Sequence, residues 1–195
     1  MTKYARVENN QVIEYRDFAD GEIPAHKAII WLPVEDIPPS YNPFYQTLSG
    51  PTIDIQPDKV VWQYTLTDRP TQQIHNLVSE ERDRRIAAGI SVTVSNTTFT
   101  VQTRDEVDFR NVNGLVSKGI LLVSTGDVIT TVPFRDLDNV EHELTATDLI
   151  SMGEQVAANV TKIYQYAWYL KSLDPVPETY NSDQWWTWVD TPPIV

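Results

Sequence analysis

Apolar and polar positions alternate with period two in several short runs and with the helical period in three longer ones. Tyr4 to Val7 and Gln11 to Tyr15 are runs of strand-forming residues flanking Glu8-Asn9-Asn10, and asparagine tolerates the positive φ of a tight turn, so they predict a hairpin. Ala28 to Leu32 and Lys59 to Leu66 read as two further strands. The second sets Val60, Trp62, Tyr64 and Leu66 on one face and Val61, Gln63 and Thr65 on the other. Between them, prolines with Tyr41, Phe44 and Tyr45 predict an extended segment pinned by aromatic contacts. After Pro70, the spacing of Ile74, Leu77, Val78, Glu81 and Arg85 predicts a helix ending at Gly89. The charged run Glu80 to Arg85 mixes both signs at helical distances and reads as a solvated, self-paired face.

Ile90 to Val94 and Thr97 to Gln102 predict a hairpin turning at Ser95-Asn96. Thr103 with Glu106 has the form of a capping box, followed by a helix carried by Val107, Val112, Leu115, Val116 and Ile120 with an interruption at Gly114. Val128 to Arg135 and Val140 to Leu144 predict another hairpin, with Pro133 putting its strand at an edge. From a cap at Thr145 or Thr147, the longest helix runs to Leu173. Leu149, Val156, Ile163 and Leu170 recur every seven residues, with Met152, Asn159, Tyr166 and Leu173 three later in each heptad. Val160, Ala167 and Trp168 widen this face, which suits a core stripe packed on the earlier helices. The same eight heptad residues are the candidates for self-association, and a buried Asn159 would fix register and copy number.

Proline usage divides the chain. Of 13 prolines, 8 fall within the first 70 residues and 4 within the last 21, leaving Pro133 alone between. Proline removes a backbone donor and fixes φ, so the first zone should hold strands and turns and the middle can be helical. The expected architecture is α+β: a β-rich, proline-rich module over residues 1–69, a three-helix module with interleaved hairpins over 70–173, and an extended Trp- and Pro-rich peptide over 174–195. Trp185, Trp186 and Trp188 would be a liability in solvent, so that peptide should dock: on its own domain, on a partner subunit, or on a sugar ring.

The 195 residues include no cysteine and carry a formal net charge of -12. That excludes a disulfide framework, a thiolate metal site and a thiol nucleophile, and it disfavours nucleic acid and anionic membrane as partners. The first ten residues lack a signal-peptide core and no apolar run approaches a membrane span, so the chain is read as made in the cytoplasm. The acidity is spread along the chain, as a solubility feature would be.

Catalytic patterns are absent from the sequence. His26, His75 and His142 are isolated, and Glu141-His142-Glu143 alternates faces on a strand, so those three cannot converge on one ion. There is neither a nucleophile elbow nor a phosphate loop. Pairs such as Glu35-Asp36 or Asp105 with Asp108 are the chance yield of 27 carboxylates. No catalytic residue, metal or cofactor is expected.

Two segments resemble modules of tailed-bacteriophage proteins. Ile23-Pro24 to Trp31-Leu32-Pro33-Val34, Pro38-Pro39-Ser40-Tyr41-Asn42-Pro43, Gln46 to Pro51 and Ile55 to Tyr64 are similar to an N-terminal pattern of phage tail-associated proteins. Glu81 to Ile90, the Val/Thr hairpin, Val101 to Asp105 and Leu144-Thr145-Ala146 are similar to a domain-of-unknown-function family found in tail-fibre and related virion proteins. The resemblance implies a structural virion component of a tail or fibre apparatus: a connector, homo-oligomeric with a trimer as first guess, bound to other tail or fibre proteins. The rivals are a fibre-assembly chaperone absent from the particle, a receptor- or carbohydrate-binding module, and an enzyme acting on cell-wall or capsular sugar.

Overall fold

The computed structural model describes residues 1–19, 23 and 31–188. The chain divides into two compact units, Met1–Thr71 and Gln72–Val195. The mixed α+β class is as expected, with a curled sheet first and helices interleaved with hairpins after it.

In the first unit β1 (Thr2–Glu8) and β2 (Gln11–Phe18) form the expected hairpin, with Asn9 and Asn10 at φ 50° and 59°. β3 (Trp31–Asp36), β4 (Gln46–Ile55) and β5 (Val60–Asp68) complete a sheet of order β2-β1-β3-β5-β4, antiparallel except for β3 with β5. The strand expected from Ala28 is described only from Trp31; residues 28–30, like His26, lie outside the described residues. β4 is a correction to the extended segment expected there. Gly50-Pro51 sits on a bulge between Ser49 and Thr52 that lets pairing resume. Gly50 has φ +113°, and a Cβ there would stand 2.8 Å from the Gln63 carbonyl oxygen.

Two strands at the usual spacing separate β2 from β5, about 14 Å in a flat sheet, yet the rings of Tyr15 and Trp62 have centroids 5.6 Å apart. The sheet is therefore curled. Ala5 and Val60 are fully buried in it, and Lys3 lies over the Trp62 ring at 4.6 Å. The proline-rich turn before β4 is held by side chains: Asn42 Oδ1 accepts the Phe44 N–H at 2.9 Å, and Arg69 donates to the Pro43 and Phe44 carbonyls at 2.9 and 3.1 Å.

The second unit begins with α1 (Thr71–Ala87) and the hairpin β6 (Ile90–Val94) and β7 (Thr97–Val101), whose turn has Ser95 and Asn96 at φ 47° and 64°. α2 (Glu106–Ser124) runs through Gly114 without interruption. Its cap is Asp105, which accepts the Val107 and Asp108 N–H groups. The expected Thr103 is instead 1% exposed and donates its hydroxyl to the Ile86 carbonyl. The Val107 and Ile120 side chains, read as carrying the buried face, point outward at 50% and 55% exposure. β8 (Val132–Arg135) and β9 (Glu141–Leu144) form a two-stranded sheet, so Pro133 does lie on an edge. α3 (Ala146–Ser172) starts from a Thr145 cap in a reciprocal capping box with Asp148.

α2 and α3 approach closely at two glycines. A Cβ on Gly119 would stand 2.7 Å from the Ala146 carbonyl oxygen, and one on Gly153 would stand 2.2 Å from a Val116 methyl. Beneath them the core gathers Val92, Phe99, Val101, Leu149, Met152 and Val156 among others. No described helix is long and apolar enough to cross a membrane.

Candidate functional site

The heptad stripe of α3 faces the chain's own interior. Leu149, Met152 and Leu170 are fully buried, Val156 and Tyr166 nearly so, and Asn159, Ile163 and Leu173 are half-buried. Asn159 donates its amide to the Gln155 carbonyl at 2.9 Å, a bond within its own helix. Self-association through these eight side chains would first have to open the core they fill. Trp168, read as part of that face, is 61% exposed.

The terminal segment packs on its own unit. Trp185 and Trp186 are 3% and 4% exposed. Their indole N–H groups donate to Thr179 Oγ1 at 3.1 Å and to the Tyr180 carbonyl at 2.7 Å, closing a compact loop around the short 3-10 turn Asp183–Trp185. The Trp188 ring lies against Tyr166 and Tyr169, and the Tyr166 hydroxyl donates to the Trp188 carbonyl at 2.8 Å. Burial raises the Tyr166 pKa, which keeps that hydroxyl a donor. A partner or a sugar would meet Trp185 and Trp186 only after the segment lifts. Residues 189–195 of the expected peptide lie outside the described residues.

What clasps the segment is the Glu80 to Arg85 charge cluster, expected from its spacing to be a solvated, self-paired face. Glu81 is 8% exposed and accepts from Arg84 at 2.6 and 2.7 Å and from Arg85 at 2.7 Å. Hydrogen bonding from Arg84 holds its carboxyl below the ordinary range, opposed by burial and aided by Arg85. Arg85 then reaches across to the Asn181 carbonyl and the Asp183 carboxylate, both at 2.9 Å, with its guanidinium 5.0 Å from the Trp186 ring centre. The signal lay in the spacing, since a glutamate with arginines three and four positions on can be held by both. Nothing local tells that one of those arginines faces a segment about a hundred residues away.

Other chemistry-bearing side chains are spent on structure. Lys171 donates to Ser79 Oγ at 2.5 Å, and burial followed by the nearby Arg82 charge lowers its pKa. Ser79 in turn donates to the His75 carbonyl at 3.2 Å, so its proton is committed away from the lysine. His142 Nε2 meets Asp136 Oδ2 at 2.9 Å and its ring stacks on Phe99 at 4.4 Å, joining β9 to β7. Glu141 instead pairs with Arg135, and Glu143 accepts from Thr131, so the three neighbours serve separate contacts. Glu35 pairs with Lys59 and Asp108 with Arg104, which accounts for one member of each acidic pair. Among the described residues no group of three or more His, Asp or Glu could hold a metal ion.

Residues 70–182, more than half of the chain, match the family model described as Domain of unknown function (DUF4376), and the chain belongs to that family. No curated protein and no solved structure matches it.

Proposed function

We propose that this DUF4376 chain is a structural subunit of a bacteriophage tail or tail-fibre apparatus, a connector that works by contact and without catalysis. The observation that carries the reading is a run of exposed large apolar side chains between Ile120 and Ile129. Ile120 is 55% exposed, Leu121 54%, Val123 46%, Val128 70% and Ile129 88%. Five large apolar side chains exposed within ten residues point to a protein contact that covers them.

The loop that presents it is held in shape. Asp127 Oδ1 accepts the Ile129 and Thr130 N–H groups at 3.2 and 3.0 Å, Oδ2 accepts the Thr130 hydroxyl at 2.7 Å, and the Asp127 N–H donates to the Leu122 carbonyl at 2.9 Å. These bonds hold the Asp127 pKa down. A preformed contact loses less entropy on binding than a slack one.

The phage setting rests on the proline patterns of the first unit. Trp31 to Val34 lies in β3, Asn42-Pro43 makes the braced turn, and Gly50-Pro51 makes the bulge of β4, so the residues of the resemblance are those that shape the curled sheet. The partners are other tail or fibre proteins and further copies of the chain, three as the working number, and the setting is the virion. Mass spectrometry of purified particles from the encoding phage tests this. A fixed copy number per particle is expected. Absence from particles that nonetheless need the chain to form would overturn the connector and favour an assembly chaperone.

A further inference from the structure

In a hairpin closed by Val94 and Thr97, alternate residues of β6 direct their backbone groups to β7 or away from it. Val92 and Ile90 bond across the ladder, while Ser91 and Thr93 point theirs outward. The outward groups of Thr93 are taken by α3. Gln155 Oε1 accepts the Thr93 N–H at 2.9 Å, and Gln155 Nε2 donates to the Thr93 carbonyl at 2.8 Å. One side-chain amide thus pairs with β6 as a neighbouring strand would.

At Ser91 nothing does so. One turn along α3, Asn159 bends back to the Gln155 carbonyl, and no described group bonds the outward N–H and C=O of the exposed Ser91. This edge lines an open cleft of about 340 Å³, walled by Asn159, Lys162, Ile163 and Tyr166 of α3 and by Trp186. Lys162 is exposed and, like Arg110, Lys118 and Lys171 of the same unit, forms no ion pair among the described residues, but it alone of these four lines the cleft. A cation without a carboxylate partner thus stands beside an unpaired strand edge, and its charge is open to a carboxylate from outside.

We propose that this cleft binds an extended acidic peptide from a partner protein, which pairs its backbone with Ser91 and sets a carboxylate on Lys162. Ser91 supplies a donor and an acceptor at strand spacing, as in strand addition to a sheet edge. Lys162 selects the charge, and the half-buried Ile163 receives a neighbouring apolar side chain. The site is separate from the Ile120 to Ile129 surface and does not depend on the virion reading.

The test titrates the isotope-labelled full chain with the capped peptide acetyl-Thr-Val-Glu-Val-Thr-amide and follows backbone amide shifts. Saturable shifts centred on Ser91 and slowed exchange of its N–H are expected. Lys162→Glu and the peptide with lysine for glutamate should each weaken binding about tenfold or more, as reversal of a direct charge contact does. Ser91→Pro removes the outward-facing N–H together with the hydroxyl and fixes φ, a change an edge strand tolerates, and should weaken binding too. A peptide N-methylated at its valines tests strand pairing on the wild-type chain alone, so the result stands even if a variant fails to fold. The proposal is overturned if shifts avoid Ser91, if Lys162→Glu binds as well as wild type, if the N-methylated peptide binds as tightly as its parent, or if acetate competes equally with the peptide.

Discussion

Arg85→Ala probes the clasp that holds the tryptophan-bearing segment, and its cost can be worked contact by contact. The side chain is 15% exposed and donates to three oxygens: Glu81 at 2.7 Å, the Asn181 carbonyl at 2.9 Å and Asp183 at 2.9 Å. The bond to Asp183 adds little, since that carboxylate is 84% exposed and such pairs are typically worth about 0–1 kcal/mol. Glu81 is not orphaned, because Arg84 still donates to both of its oxygens. What is lost is the charged bond to Asn181, on the order of 1.5 kcal/mol, and the cation–π contact with Trp186, about 1 kcal/mol. Loss of the aliphatic stem from the Trp186 face adds to this.

The expected destabilisation is about 2–3 kcal/mol, or a roughly 30-fold or greater rise in opening of the segment. Hydrogen exchange at the Ser182, Trp185 and Trp186 amides, each bonded to a nearby carbonyl, reads the local opening, and urea unfolding reads any global part. Arg85→Lys should recover part of the loss, since it keeps the charge but not the planar fork. A double-mutant cycle with Trp186→Ala should return a coupling of about 1 kcal/mol. Unchanged exchange at those amides in Arg85→Ala would refute the clasp.

Two glycines of α2 predict opposite signs. Gly119→Ala meets backbone at 2.7 Å and should destabilise by about 1–3 kcal/mol through overpacking, whereas Gly114→Ala has open space and should gain up to about 1 kcal/mol from helix propensity; urea midpoints with unchanged slopes check both. Glu81→Gln tests the buried carboxylate by pH. Its folded pKa is lowered, so its contribution is present above the ordinary value of 4.5 and fades as pH falls through the depressed value; the variant should be less stable at neutral pH and show a shallower acid limb. Asp127→Ala should free the Val128-Ile129 loop, seen as faster amide exchange at Ile129 and Thr130 with little change in global stability.

The turns were legible because their chemistry is local. Asn9-Asn10 and Ser95-Asn96 both take positive φ, as a two-residue hairpin needs, and the apolar period and Thr145 cap of α3 bound it to within a residue or two. β4 was not legible, since a bulge that rescues a proline depends on the partner strand β5. The α2 cap moved from Thr103 to Asp105 because Thr103 is engaged by the Ile86 carbonyl, a contact with another element. The heptad pattern located a buried stripe but not what buries it, because an intramolecular core and an intermolecular seam present the same spacing. The Glu81–Arg85 clasp and the uncovered Ser91 edge follow from long-range placement, which no window of sequence reports.

Assembly through the exposed apolar side chains between Ile120 and Ile129 is the claim on which the proposed connector role stands. Light scattering on the eluting wild-type chain and on a Leu121→Asp, Ile129→Asp variant tests it most directly, because both side chains already face solvent and their replacement leaves the core intact. The wild-type chain is expected to self-associate as its concentration rises, and the variant to elute as a folded monomer throughout. A wild-type chain that stays monomeric, or a variant that assembles equally well, would contradict the claim.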